Sequence, residues 1–404
     1  MFFYNSLLLL SNILIVAVHT QSESRASLGN SSCSYSGNLK AECDLEDVSI
    51  ADIPLACTAV IFDGIYMDLA YNAYAPCGGD DLLAKLDMML KSSKNVFVLY
   101  GHSTQEEWSQ VLACEVCNNG TNSQDEMKGL KSFLDQHPGI KGLLITNLEL
   151  DDNSVDFPEY SENLKVYLDT MRSTFPDLAI GLYLVGKFIV DQYTHPKSTW
   201  LNFTIIDSSV DFYSISVVTF NDCTDEFKLL GTAPIGLSKS LNTTSLGHSN
   251  SSSTGSSNSS STGSSNSSST GSTNVTMPVT NYTLSNLKDI LADISIPQNK
   301  TYYRYRLSPL SSDDTLSLCN DTVAEFCSNA TGSSSWCFDT IESFNEKGQF
   351  AKENGAGFIV NIIDLNDPDN VCKCGPYPSF NAILDGYNGI SANTSKECAL
   401  LKRS

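Results

Sequence analysis

Acid–base chemistry needs carboxylates or imidazoles at the ends of ordered elements, and few positions in this chain offer them. Glu149 follows directly on the apolar run Gly142–Leu148, where a carboxylate is placed to hold or move a proton. Side chains alternate along a strand, so a one-residue slip decides which face such a group joins. His102 stands just beyond the run Val96–Tyr100, after Gly101, and it is one of five histidines. No Gly-x-Ser-x-Gly elbow accompanies them, so a nucleophilic serine has no support. Cys114 and Cys117 have the spacing of a redox pair, but among thirteen cysteines they read as structural. The odd count implies at least one unpaired thiol. Cys372-Lys-Cys374 has the wrong spacing for half of a zinc site. Neither a metal nor a cofactor is expected.

The elements that would position these groups alternate. Short apolar runs at Ala59–Ile65, Val96–Tyr100, Gly142–Leu148, Ala179–Val185, Phe212–Val218 and Gly357–Ile363 read as strands. Between them lie amphipathic stretches with helical spacing, such as Leu164, Tyr167, Leu168 and Met171, or Leu284, Leu287, Leu291 and Ile294. Strands that are apolar throughout, separated by helices, predict a parallel sheet covered by helices. About 350 folded residues suit one eight-fold (β/α)8 barrel with insertions. No glycine-rich phosphate loop follows a strand, so a dinucleotide-binding sheet is not supported.

Residues 1–20 have the apolar core of a secretory signal peptide, Leu7–Leu10 and Ile13–Val18, and no later segment reads as a membrane span. Secretion to the extracellular space is the expectation, with residues 21–404 as the mature chain. Asn-x-Ser/Thr sequons stand at Asn30, Asn119, Asn202, Asn242, Asn250, Asn258, Asn266, Asn274, Asn281, Asn299, Asn320, Asn329 and Asn393, which predicts a glycan-coated surface. The net charge of −22 excludes a nucleic-acid partner and disfavours anionic membranes. From Asn250 to Thr273 an eight-residue Asn/Ser/Thr/Gly repeat runs without one apolar residue, so it has no core to bury. Both flanks carry barrel elements, and 242–275 therefore reads as a glycosylated loop inserted within one barrel, mucin-like in composition.

Several segments together resemble the family-eighteen chitinases. Asp52–Ile65 (DIPLACTAVIFDGI) is similar to their second-strand region, Glu162–Phe175 to the helix after strand four, and Ala324–Cys327 to their Glu-Ile-Cys element. Asp339–Leu384 tracks their closing helix, strand and Cys-Gly-Pro-Tyr-Pro segment with almost no gap. The resemblance implies a TIM barrel and, in active members, hydrolysis of N-acetylglucosamine polymers by substrate assistance. A strand-four Glu protonates the leaving oxygen there, and a nearby Asp supports the acetamido group that attacks. The signature is Asp-x-x-Asp-x-Asp-x-Glu, whose last three acids share one strand face.

This chain departs from that pattern. Aligned on Gly142, the four acidic positions become Lys141, Leu144, Thr146 and Leu148. Glu149 lies one residue late, and alternation predicts that it points away from the barrel axis unless a bulge restores it, in which case the preceding alternate positions are Asn147 and Ile145, without an Asp. The strand-eight Trp of the sugar floor aligns with Asn361. The strand-six Tyr and Asp become Val218 and Thr219, or Phe220 and Asn221 with one inserted residue, without a carboxylate either way. The strand-seven motif is replaced around Arg304–Pro309, and Leu307–Val323 is too short for the family's insertion domain. His102 replaces the second glycine of a Gly-Gly turn and reads as a substitution at the cleft edge. The resemblance also pairs Cys33 with Cys57, and Cys327 with Cys372, Cys374 being the alternative partner. The chain is therefore expected to be a catalytically inactive, chitinase-like glycoprotein that binds a glycan or a cell-surface or matrix partner. The alternatives are a mucin-like coat carried by the barrel and a residual hydrolase using Glu149. An open, aromatic barrel mouth would favour the binding protein, and a filled one the carrier.

Overall fold

The computed structural model describes residues 25–37, 39, 47–76, 79–113, 115–149, 159–194, 201–228, 230–236, 282–311, 322–328 and 336–392. The signal segment, the 242–275 repeat and the sequons from Asn242 to Asn281, with Asn320, Asn329 and Asn393, lie outside these residues. Eight parallel strands close on themselves: β1 (Ser31–Tyr35), β2 (Ala59–Met67), β3 (Asn95–Gly101), β4 (Ile140–Thr146), β5 (Ala179–Val185), β6 (Phe212–Ser216), β7 (Thr301–Arg306) and β8 (Gly357–Asn361). They neighbour one another in that order, and β1 pairs with both β2 and β8. A short strand, Ala73–Tyr74, runs antiparallel to the end of β2. The fold is a TIM barrel.

Alternation along the strands builds two cores. Outward residues such as Val60, Val98, Leu143, Ile145, Ile180 and Leu182 pack against the surrounding helices. Inward residues Ala59, Ile61, Phe97, Leu144, Ala179, Phe212 and Ile359 fill the barrel towards the strands' N-terminal end. Burial on both faces is why these strands read as unbroken apolar runs. The rings of Phe97 and Phe212 meet edge-on at 5.8 Å between centroids. Space for them comes from Gly142 and Gly181, where a Cβ would stand 2.5 Å from Phe97 and 2.2 Å from Phe212.

The covering helices are α1 (Gly79–Leu90), α2 (Gln105–Val111), α3 (Thr121–Gln136), α4 (Tyr160–Thr174), α5 (Gly186–Thr194), α6 (Phe203–Ile206), α7 (Leu284–Asp293), α8 (Val323–Ser328), α9 (Ile341–Asn354) and α10 (Pro378–Asn388). The stripe Leu164, Tyr167, Leu168 and Met171 of α4 is wholly buried. Threonine hydroxyls cap three of these helices: Thr104 on α2, where Glu107 completes a capping box, Thr283 on α7 and Thr340 on α9. The connection from β7 to α9 contains a two-stranded ladder of Leu310–Ser311 with Trp336–Cys337.

Disulfides join Cys33 to Cys57, Cys327 to Cys372 and Cys223 to Cys337. Cys374 is disulfide-bonded elsewhere, as is Cys117. The first bridge ties β1 to the approach of β2, and the second ties α8 to the loop after β8. Among the described residues no helix is long and apolar enough to cross a membrane. The described sequon residues Asn30, Asn119, Asn202 and Asn299 are all exposed.

Candidate functional site at the barrel mouth

The C-terminal ends of parallel barrel strands converge on one mouth, where TIM barrels place their chemistry. On β4 the alternation holds through Thr146: Lys141 is exposed at the far end, Leu144 belongs to the inner core, and Thr146 is buried. It then breaks. Asn147 takes a left-handed conformation (φ 62°), and its Nδ2 donates to the His102 carbonyl at 2.9 Å. Asn tolerates this region better than most residues. Leu148 consequently joins the outer core, where Tyr160 Oη donates to its carbonyl at 3.0 Å.

Glu149 therefore does not follow strand parity. It turns to the end of β5 and accepts from the Val185 N–H at 2.9 Å. Its carboxylate extends the β4–β5 ladder beyond the last main-chain pair, Ile145 with Leu182. The left-handed Asn147 is a local irregularity of the kind that strand alternation left open for Glu149, and it brings the carboxylate to the seam between β4 and β5. Burial raises its pKa above the ordinary carboxylate value, against the lowering effect of the Val185 N–H.

Arg304 of β7 dominates the centre. Its Nη2 donates to Asp63 Oδ2 at 3.0 Å and to Ser34 Oγ at 2.8 Å, and its Nε donates to Asn361 Oδ1 at 2.9 Å. Ser34 also donates to Asp63 Oδ2. The guanidinium lies 5.2 Å from the centroid of the Tyr183 ring, within cation–π range. Arg304 is only 3% exposed, whereas the Asp63 side chain is 21% exposed. Asp63 reaches this point because the β2–β3 register shifts between Phe62 and Ile65, with Gly64 at φ 107°. Such a bulge re-aims side chains at a barrel rim. A guanidinium this buried requires its anionic partner and its neutral acceptors together.

The other expected positions divide. Asn361 sits at the mouth, half-buried, as the acceptor for Arg304. His102 is not at a cleft edge: it is wholly buried outside the barrel, with Nε2 3.1 Å from Glu126 Oε2. Glu126 also accepts from Tyr100 and, at 2.6 Å, from Tyr167, while Trp108 meets the imidazole edge-on. The imidazole serves a polar knot between β3, α3 and α4. Phe220 is buried against Tyr282 at 5.5 Å. Asn221 is a clamp, not a cleft residue. Its Nδ2 donates to the carbonyls of Thr232 (2.8 Å) and Tyr282 (2.9 Å), and its Oδ1 accepts from Tyr282 N (3.2 Å). It thereby fastens the chain before residue 237 to the chain after residue 281.

Arg304, Asp63, Ser34 and Tyr183 were not expected as site residues. Two signals in the sequence pointed at them: Arg304 shares inward parity with Tyr302 in TYYRYR, and Asp63 interrupts an apolar strand just before a glycine. Beyond Asn361, Asp364 is buried and accepts from the N–H groups of Ser36 and Val48, both at 3.2 Å. Burial lifts its pKa to about 7. Among the described residues no group of three or more His, Cys, Asp or Glu could hold a metal ion.

No protein-family model matches the sequence, and no curated protein does. Solved structures do match the fold. The Group IV chitinase of Ostrinia furnacalis is 15% identical, with a TM-score of 0.63 over 89% of this chain and 100% of that one. Catalytic domain 2 of the Group II chitinase from the same insect is 12% identical, with a TM-score of 0.65 over 93% of this chain and 100% of that one. Human YKL-39, described as a pseudo-chitinase with retained chitooligosaccharide binding properties, is 12% identical, with a TM-score of 0.61 over 89% of this chain and 100% of that one. The fold neighbours of this barrel thus include both chitinases and a pseudo-chitinase.

Proposed function

We propose that this chain is a secreted, non-catalytic, chitinase-like glycoprotein whose barrel mouth binds a glycan of a cell surface or matrix. The observation that carries the reading is the state of the mouth. Thr146 is the last inward residue of β4, and the Arg304–Asp63 pair with Ser34 and Asn361 occupies the centre. Substrate-assisted hydrolysis needs a general acid and, beside it, a carboxylate that positions the acetamido group. Glu149 could supply the first function, since burial raises its pKa. The neighbouring inward position on β4 is a threonine hydroxyl, which carries no charge to stabilise a developing cation. YKL-39 provides a precedent for a barrel of this fold that binds without turning over.

Secretion is supported by the apolar N-terminal segment, the sequons and the disulfides. A second reading, the glycan-coated carrier, gains from the burial of Arg304, because a filled centre leaves less room for a ligand. Against it, Asn361 and Tyr183 keep part of their surface at the mouth. A glycan array probed with the full chain and with a variant lacking residues 250–273 separates the two. Binding retained after the deletion supports the barrel as the binding element. Absence of binding by either protein supports the carrier.

A further inference from the structure

A cavity of about 640 Å³ lies outside the barrel, between α1 and residues 47–51 of the connection from β1 to β2. Its walls are held in place. Tyr35 Oη donates to the Val48 carbonyl at 3.1 Å and the Val48 N–H donates to Asp364 at 3.2 Å, so both main-chain groups of Val48 are engaged. Lys85 Nζ donates to the Gly37 carbonyl at 2.7 Å and to Asp47, which also accepts from the Leu39 N–H at 2.8 Å. Lys94, just beyond α1, fastens the same connection through the carbonyls of Pro54 (2.7 Å) and Cys57 (3.1 Å). Two unlike groups stand at the rim. Met88 is 53% exposed, although it shares the lining with Val48 and half-buried Ile50. Lys91 is exposed, and its ammonium has no ion-pair or hydrogen-bond partner among the described residues.

We propose that this groove binds a small organic carboxylate with a hydrocarbon chain, the chain lying on Met88, Ile50 and Val48 and the carboxylate on Lys91. This is a second site, and it does not rest on the glycan-binding reading of the mouth. Charge selects the head group. Of the charged residues that line the groove, Lys85 and Asp47 neutralise each other, which leaves Lys91. In a chain of net charge −22, this local sign is the reverse of the whole. Nor is the carbonyl end of α1 left bare beside it, since the carbonyls of Met88 and Met89 accept from the N–H groups of Lys91 (3.2 Å) and Ser92 (2.9 Å). The apolar wall selects the body. An inorganic anion or a sugar would leave Met88 and Ile50 uncovered, whereas a hydrocarbon removes them from water. Size argues against a protein partner. Ten residues line the groove, against about 20–30 on each side of a standard protein interface, and its volume falls within the roughly 300–1,000 Å³ of small-molecule sites.

Equilibrium dialysis of the full-length glycoprotein against radiolabelled decanoate and radiolabelled 1-decanol tests the inference, the two ligands differing in the head group alone. Decanoate is expected to bind the more tightly. Lys91→Gln should weaken decanoate by about three- to fivefold, the worth of one exposed ion pair, and leave 1-decanol unchanged. Met88→Gln keeps a good helix former and should weaken both ligands by about threefold or more. Both side chains are exposed, so neither change burdens the fold. Equal binding of the two ligands, or a Lys91→Gln effect that is absent or the same for both, overturns the carboxylate site. Binding that Met88→Gln leaves unchanged places the ligand elsewhere and overturns it too. No binding of decanoate overturns it outright, and in each of these events the glycan array still decides the reading of the mouth.

Discussion

The two ends of one barrel are built on opposite principles. Towards the strands' N-termini the inward side chains are Ala59, Ile61, Phe97, Leu144 and Phe212, a dry core held by shape. Towards the C-termini they give way to Ser34, Asp63, Thr146, Ser216 and Arg304, held by hydrogen bonds and one ion pair. The dry end keeps strict alternation, because a slipped register would bury polar side chains and expose apolar ones. The polar end tolerates irregularity. Gly64 bulges β2 and Asn147 turns left-handed after β4, and each re-aims a carboxylate, Asp63 to Arg304 and Glu149 to the Val185 N–H at the end of β5. Apolar packing and polar pairing are thereby separated along the same eight strands.

The largest expected effect lies at the dry end. Phe97→Ala removes a fully buried ring that fills space left by Gly142, and should cost about 3–5 kcal/mol in chemical unfolding. A loss below about 1 kcal/mol would show that the dry end does not carry the fold. Next comes a pH effect at the mouth end. The pKa of Asp364 rises in the folded chain from 3.8 to about 7 through burial. A raised folded pKa gives stability that is fully present below the unfolded value and is lost as pH climbs through the folded value. Unfolding free energy should therefore carry a falling contribution between about pH 4 and 7, as much as about 4 kcal/mol in total. The difference between wild type and Asp364→Asn, followed by thermal melts across that range, should shift in the variant's favour as pH rises. Glu149 acts in the same direction, since its pKa is raised too.

Smaller effects sharpen the contrast between the clamp and what it closes. Asn221→Ala removes three hydrogen bonds joining Thr232 and Tyr282, and should lower stability by about 2 kcal/mol, because buried main-chain groups lose their partner. Deleting residues 250–273 should change stability by less than about 1 kcal/mol, since closure entropy grows only logarithmically with loop length. Melting temperatures of the two variants compare them directly. A deletion that costs more than Asn221→Ala would mean that the repeat packs on the barrel.

The dry end was legible in the sequence and the polar end only in part. Six apolar runs gave six of the eight strands, their ends shifting by one or two residues, because both strand faces are buried there. β1 and β7, SSCSY and TYYRYR, contain no aliphatic run. Their inward positions carry Ser32, Ser34 and Arg304, whose burial depends on partners distant in sequence. Ser32 Oγ, for instance, is satisfied by the Leu28 carbonyl at 2.8 Å. Alignment found the position of Asn361 but could not show that Asn361 would serve an arginine. Counting alternate residues placed Thr146 on the inner face but could not place Glu149, since one positive φ at Asn147 interrupts the count. His102 misled for a related reason: it ends a strand, but its partner Glu126 lies on the outer side.

The central claim, that this mouth does not turn over chitin-type sugars, is tested most directly by incubating the purified glycoprotein and its Glu149→Gln variant with chitotetraose and following the release of shorter oligomers. The account predicts no release above the blank from either protein, because Glu149 has no carboxylate at Thr146 to support the attacking acetamide. Release by the wild type that Glu149→Gln abolishes would contradict it and make Glu149 the general acid of an active hydrolase.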